Sequence, residues 1–114
     1  MNTDNYPEPG KRPLSSISPT ILEYADGSPY LVIGGSGGSQ IFPTIVQTLL
    51  NMDWGMNPSQ AVEYGRVHDQ LYPEQVSADN ILPALVLDGL RNRGHNVKGA
   101  LSDVRLFFLL TCRV

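Results

Sequence analysis

Two stretches of this 114-residue chain concentrate groups that could handle negative charge. The first is Lys11-Arg12-Pro13-Leu14-Ser15-Ser16-Ile17-Ser18-Pro19-Thr20, with three serine hydroxyls between two prolines. Each proline fixes its own φ and pushes the preceding residue toward extended geometry, so the stretch is stiff. A stiff loop can hold hydroxyl and amide donors toward an anion; the same residues also describe an ordinary loop with a turn serine. The second stretch is Gly34-Gly35-Ser36-Gly37-Gly38-Ser39, between a predicted strand and a predicted helix. Glycines there let backbone approach a ligand closely, and amides at a helix start favour negative charge. A P-loop needs Gly-Lys-Ser/Thr, but Gly38 is followed by Ser39-Gln40. A dinucleotide fingerprint begun at Gly35 needs glycine at position 40 and meets Gln40. What remains is an anion or oxyanion cradle of backbone N–H groups, suited to acyl transfer, or a tight strand-to-helix turn.

Other chemistry-bearing residues are more isolated. His68 and Asp69 adjoin without a nearby nucleophile and read as hydrogen-bonded structure. His95 follows Gly94 at a predicted helix end, where a cation favours the helix dipole. Asp26 belongs to a turn, and Asp79 with Asn80 is expected to cap a helix. Neither histidine has metal-ligand spacing and Cys112 is the sole cysteine, so no metal site, no cofactor and no internal disulfide are expected.

Composition limits the classes further. A chain of this length suits one domain. With 41% hydrophobic and 17% charged residues it is neither disordered nor fibrous in type. The net charge of −3, with no Lys/Arg cluster, argues against a nucleic-acid partner, which needs a basic face. The start MNTDNYPEPG has neither the cationic nor the apolar region of a signal peptide, and the longest apolar run, Leu106 to Leu110, is too short to span a bilayer.

The elements that must position the two stretches follow from pattern. Residues Thr20 to Tyr24 and Tyr30 to Ile33 are β-rich and flank Asp26-Gly27, which predicts a β-hairpin. Four consecutive apolar residues in the second strand predict burial on both faces. A helix is predicted from about Gln40 to Met52, with Ser39 as N-cap and Pro43 tolerable in the first turn. A second runs from N-cap Asn57 and Pro58 to about Tyr64, and a third covers roughly Leu82 to Arg93 with Gly94 as C-cap. The fold class is therefore mixed α/β (α+β), a hairpin followed by about three helices. The closing apolar block shows neither alternation nor helical spacing and reads as an aggregation hazard if exposed.

These residues resemble the γ-glutamyltransferase (γ-glutamyltranspeptidase, glutathione hydrolase) family. PGKRPLSSISPTI at Pro9 to Ile21 is similar to the family's Lys-Arg-Pro-x-Ser-Ser-Met-x-Pro run, with Ile17 for the more usual Met. LVIGGSGGSQIFPTIVQTLLN at Leu31 to Asn51 is similar to its glycine loop and following helix. NPSQAVEYGRVHDQLYP and LRNRGHNV, at Asn57 to Pro73 and Leu90 to Val97, continue the family order with a fungal flavour. The resemblance implies part of the αββα sandwich of N-terminal-nucleophile hydrolases. It also implies glutathione catabolism through a γ-glutamyl enzyme formed on a threonine freed by self-cleavage. The γ-glutamyl group of glutathione or a related compound then passes to water, an amino acid or a peptide. Carried over by position, Ser15 and Ser16 hold the substrate α-carboxylate, and Gly37 and Gly38 supply the oxyanion hole.

On this reading residues 1–10 form an irregular lead-in, 11–97 a small-subunit segment and 98–114 a divergent tail. The nucleophilic threonine and the acidic residue that grips the substrate α-amino group belong upstream of Lys11 in the family. The expectation is a truncated product, inactive alone, missing its large subunit and the rest of its small subunit. Its unpaired edges and an uncovered sheet face would be exposed. Family members are usually secretory, membrane-anchored or vacuolar, and this segment carries no sign of a compartment. The competing expectation is a non-catalytic module holding a carboxylate or phosphate on the Gly34–Gly38 loop.

Overall fold

The hairpin forms around its predicted turn. Strand β1 (Thr20–Glu23) pairs antiparallel with β2 (Pro29–Ser36), Thr20 opposite Ile33. Gly27 takes φ 82°, which only glycine adopts cheaply, and Asp26 Oδ1 accepts from both the Ser28 N–H and hydroxyl. Tyr24 and Tyr30 meet edge to face beside the turn, 5.2 Å between ring centres. The computed structural model describes residues 5–99 and 105–110. Residues 1–4, 100–104 and 111–114 lie outside it, and with them Cys112 and part of the expected tail.

Helix α1 (Ile41–Asp53) packs on one face of β2. Leu31 and Ile33 from the strand, and Ile41 and Ile45 from the helix, form the buried core, with Leu22, Leu49, Met52 and Leu106 packed around it. Burial of each such side chain contributes about 1.5–3 kcal/mol. The expected two-faced burial of β2 is corrected here. Leu31 and Ile33 are buried, whereas Tyr30 before them and Val32 between them are only half-buried, since α1 packs on the face that carries Leu31 and Ile33.

The closing apolar block is the second difference. Strand β6 (Arg105–Leu110) pairs antiparallel along the other edge of β2, Leu31 opposite Leu110 through Ser36 opposite Arg105. Its partner lies about seventy residues earlier in the chain, so nothing in its local pattern could announce the pairing. The sheet order is β1-β2-β6.

Helix α2 (Pro58–Glu63) starts as predicted. Asn57 Oδ1 accepts from Gln60 N at 2.9 Å while Gln60 Oε1 accepts from Asn57 N at 3.0 Å, a reciprocal capping box. Helix α3 (Ala84–Asn92) begins two residues after the predicted start, because Pro83 occupies the N-cap position and Leu82 is buried. Gly94, at φ 91°, ends it in a Schellman motif: Gly94 N donates to Arg91 O and His95 N to Leu90 O. Asp79 does not cap α3. Its Oδ2 instead accepts from Arg66 N at 2.9 Å and Arg66 Nε at 3.3 Å, an inter-strand tie.

A second sheet joins β3 (Val67–His68), β4 (Val76–Ala78) and β5 (Val97–Gly99), antiparallel between the first pair and parallel between the second. Gln47 couples it to α1. Its amide donates to Val67 O at 2.7 Å and accepts from Val67 N at 2.9 Å, so one side chain occupies the place of a neighbouring strand.

Candidate active site

Of the glycine stretch, the structure assigns the first part to sheet rather than loop. Gly34 and Gly35 lie within β2, opposite Phe107 and Leu106 of β6. The turn proper is Gly37–Gly38, followed by a 3-10 turn over Gly38–Gln40 that leads into α1. Gly37 has φ 135° and Gly38 φ 60°, conformations that side-chain-bearing residues rarely adopt. Both give their carbonyls to the turn, Gly37 O accepting from Gln40 N at 3.2 Å and Gly38 O from Ile41 N. Among the described residues neither glycine N–H is used in a hydrogen bond. Among the described residues the turn thus spends its acceptors internally and leaves two adjacent donors unpaired.

Ser39 is not the N-cap expected of it. Gln40 takes that position without a side-chain cap bond, and the Ser39 hydroxyl donates to Gln70 Oε1 at 2.8 Å. The early turn at Gly38 carries the chain into the helix without needing that cap.

The serine stretch is held by short-range bonds. Ser15 Oγ accepts from Ile17 N at 3.1 Å, Ser18 Oγ donates to Ser16 O at 2.9 Å, and Thr20 Oγ1 donates to Ser18 O at 3.1 Å. Just upstream, Asn5 Oδ1 accepts from Leu14 N at 2.7 Å and clamps the loop from Asn5 to Leu14. Ser15 is exposed and Ser16 half-buried, and the Ser16 hydroxyl makes no hydrogen bond among the described residues. Register relates the two stretches. Thr20, first residue of β1, faces Ile33, so the chain leaves the serines and enters the ribbon at the end where β2 departs toward Gly37.

The histidines stand apart from this pair of segments. His68 sits in β3 with Nε2 3.1 Å from Gln70 Oε1 and a buried Nδ1 that has no partner among the described residues. It is not bonded to Asp69, whose Oδ1 accepts instead from Leu71 N at 2.8 Å. His95 borders an open hollow of about 390 Å³ with Asp69, Glu74 and Asn96. Among the described residues no group of three His, Cys, Asp or Glu side chains could hold a metal ion, and no helix is long and apolar enough to cross a membrane. Sequence reasoning missed Gln70 and Gln47. Each bonds to residues twenty or more positions away, and a glutamine in a polar stretch carries no local signal.

A sequence model of the family described as Gamma-glutamyltranspeptidase matches residues 1–107. The chain belongs to this family. A glutathione hydrolase proenzyme of Arthroderma benhamiae is 46% identical over 94 residues, which are 82% of this chain and 16% of that protein. Glutathione hydrolase proenzyme 1 of Schizosaccharomyces pombe is 43% identical over 94 residues, 82% of this chain and 15% of its own length. An acivicin-inhibited γ-glutamyltranspeptidase crystal structure superposes with a TM-score of 0.83 at 33% identity, covering all of this chain and 61% of that one. The T380A mutant of the Helicobacter pylori γ-glutamyltranspeptidase gives 0.81 at 35% identity, over 90% of this chain and 56% of its own. This γ-glutamyltranspeptidase-family chain thus spans about one-sixth of the length of those curated relatives. Its mixed α/β architecture is part of the N-terminal-nucleophile hydrolase fold of those enzymes. The matches do not favour a stand-alone anion-binding module.

Proposed function

We propose that this chain supplies two of the substrate-handling segments of a glutathione hydrolase. In this reading residues 11–97 are the small-subunit segment. Ser15 and Ser16 hold the α-carboxylate of the γ-glutamyl group, and the N–H groups of Gly37 and Gly38 meet the oxyanion that forms as its amide is attacked. The nucleophile is a threonine of the remaining polypeptide, its hydroxyl proton passing to its own terminal amine. The amine product leaves, and water or an amino acid then takes the γ-glutamyl group. Two adjacent backbone donors at Gly37–Gly38 with no acceptor among the described residues are the observation that carries the reading. Such donors cost no reorganisation when charge develops, and one is typically worth about 3 kcal/mol of barrier.

The exposed surface supports partners in this reading. The chain exposes 8367 Å², against roughly 6200 Å² for a compact monomer of its mass. The excess suits a surface covered by the rest of the small subunit and by a large subunit.

The test is a chimera in which the matched residues of this chain replace the equivalent stretch of the Arthroderma benhamiae relative. Turnover of a chromogenic γ-glutamyl anilide is expected from the chimera and not from the 114-residue chain. Ser16→Ala is expected to raise KM about tenfold with kcat little changed, the loss of one charge-assisted hydrogen bond. Gly38→Pro, which removes an N–H and cannot take the φ of 60° that the turn requires, is expected to lower kcat by at least about a hundredfold. An active chimera indifferent to both changes would disprove the assignment.

A further inference from the structure

We propose that Gln70 is a positioning residue for the Gly37–Gly38 turn; this rests on the oxyanion role assigned to that turn above. Gln70 lies in the exposed segment after β3, thirty-one positions from Ser39, yet its side chain makes three polar contacts. Oε1 accepts the Ser39 hydroxyl at 2.8 Å and lies 3.1 Å from His68 Nε2, while its Nε2 donates to Tyr72 O at 3.1 Å. The last bond fixes which end of the amide points to Ser39, because a backbone carbonyl accepts only from the NH2 group. An amide oxygen has two lone pairs, so it satisfies both neighbours only when each brings a hydrogen. His68 is thereby held as the Nε2–H tautomer, and its bare Nδ1 faces the interior, where among the described residues it meets no donor.

Ser39 directly follows Gly38, and its backbone belongs to the 3-10 turn whose N–H groups close on Gly37 O and Gly38 O. Two glycines in succession are the most permissive backbone a chain can present. Donors preorganised for a developing charge need the opposite quality. Gln70 supplies an outside anchor, one hydrogen bond from the second glycine. Its own loop is shaped locally: Leu71 takes φ 71° with its N–H bonded to Asp69 Oδ1 two residues earlier.

The experiment pairs nuclear magnetic resonance of the full 114-residue chain with kinetics of the chimera. In the wild-type chain, long-range nitrogen–proton correlations should report Nε2–H at His68, and the amides of Gly37 and Gly38 should be as ordered as those of β2. Gln70→Ala should release the tautomer and lower the backbone order parameters of Gly37 and Gly38 below those of β2, from rigid toward flexible values. Gln70→Glu, which keeps the accepting oxygen, should retain the order. Ser39→Ala should loosen the glycines while leaving the His68 tautomer alone, and it decides the matter if Gln70→Ala fails to fold. In the chimera Gln70→Ala should lower kcat with little change in KM. Glycine amides unmoved by both alanine variants, or an Nδ1–H tautomer in the wild type, would overturn the proposal. Looser glycines with unchanged chimera turnover would instead refute the oxyanion role and leave the anchor standing.

Discussion

At Gly37 the backbone sits at φ 135°, ψ 28°, and at Gly38 near the left-handed helical region with φ 60°. The second has open space where a Cβ would project, so a side chain there costs conformational strain of about 1 kcal/mol and no collision. Strain of the same kind is already present at Leu71, whose left-handed backbone carries a bulky side chain that is 86% exposed and packs on little. Asparagine tolerates that conformation, and nothing buried is lost with the leucine. Leu71→Asn is therefore expected to raise stability by about 0.5–1 kcal/mol, read as a higher urea midpoint at unchanged slope. A lower midpoint would show that the turn is not strained. The stiffness of the serine stretch and the backbone freedom of the glycine stretch were legible from residue type, since both are local properties. Which glycines form the turn was not, because Gly34 and Gly35 are drawn into β2 by a partner strand far along the chain.

Among the elements, capping chemistry read from sequence holds well where side chain and backbone are close neighbours. Asn57-Pro58 starts α2 and Gly94 ends α3, each through bonds spanning five residues or fewer. The misread cap at Asp79 and the late start of α3 share a cause: Arg66 and Gly65, from an earlier strand entry, compete for the residues before that helix. Gly65 shows the consequence for packing. A Cβ added there would lie 2.7 Å from Leu82 Cγ, 2.9 Å from Leu82 N and 3.1 Å from its Cα. Two of those atoms are backbone and cannot swing aside. Gly65→Ala is thus expected to destabilise the chain by about 1–3 kcal/mol, measurable by denaturant titration, whereas an unchanged midpoint would mean that β3 and α3 are free to separate.

For the molecule as a whole, the outline measures 45 × 43 × 21 Å, a slab rather than a ball. One face of the β1-β2-β6 sheet carries α1, and large apolar side chains such as Ile21, Trp54, Ile81 and Leu85 remain more than half exposed. Isolated chain is expected to bind a hydrophobic dye and to sediment as more than a monomer, with both signals reduced when the rest of the family polypeptide is co-expressed. A dye-silent monomer would argue that the exposed faces are not interfaces. The order of stiff serine loop, hairpin, glycine turn and helix was determined by the sequence alone, because turns, caps and period depend on residues a few positions apart. Tertiary structure alone decided that β6 completes the first sheet, that Gln47 stands in for a strand beside Val67, and that Gln70 reaches Ser39. Those contacts join residues twenty to eighty positions apart, and their hydrogen bonds depend on where the chain has already been folded rather than on which residues are neighbours in it.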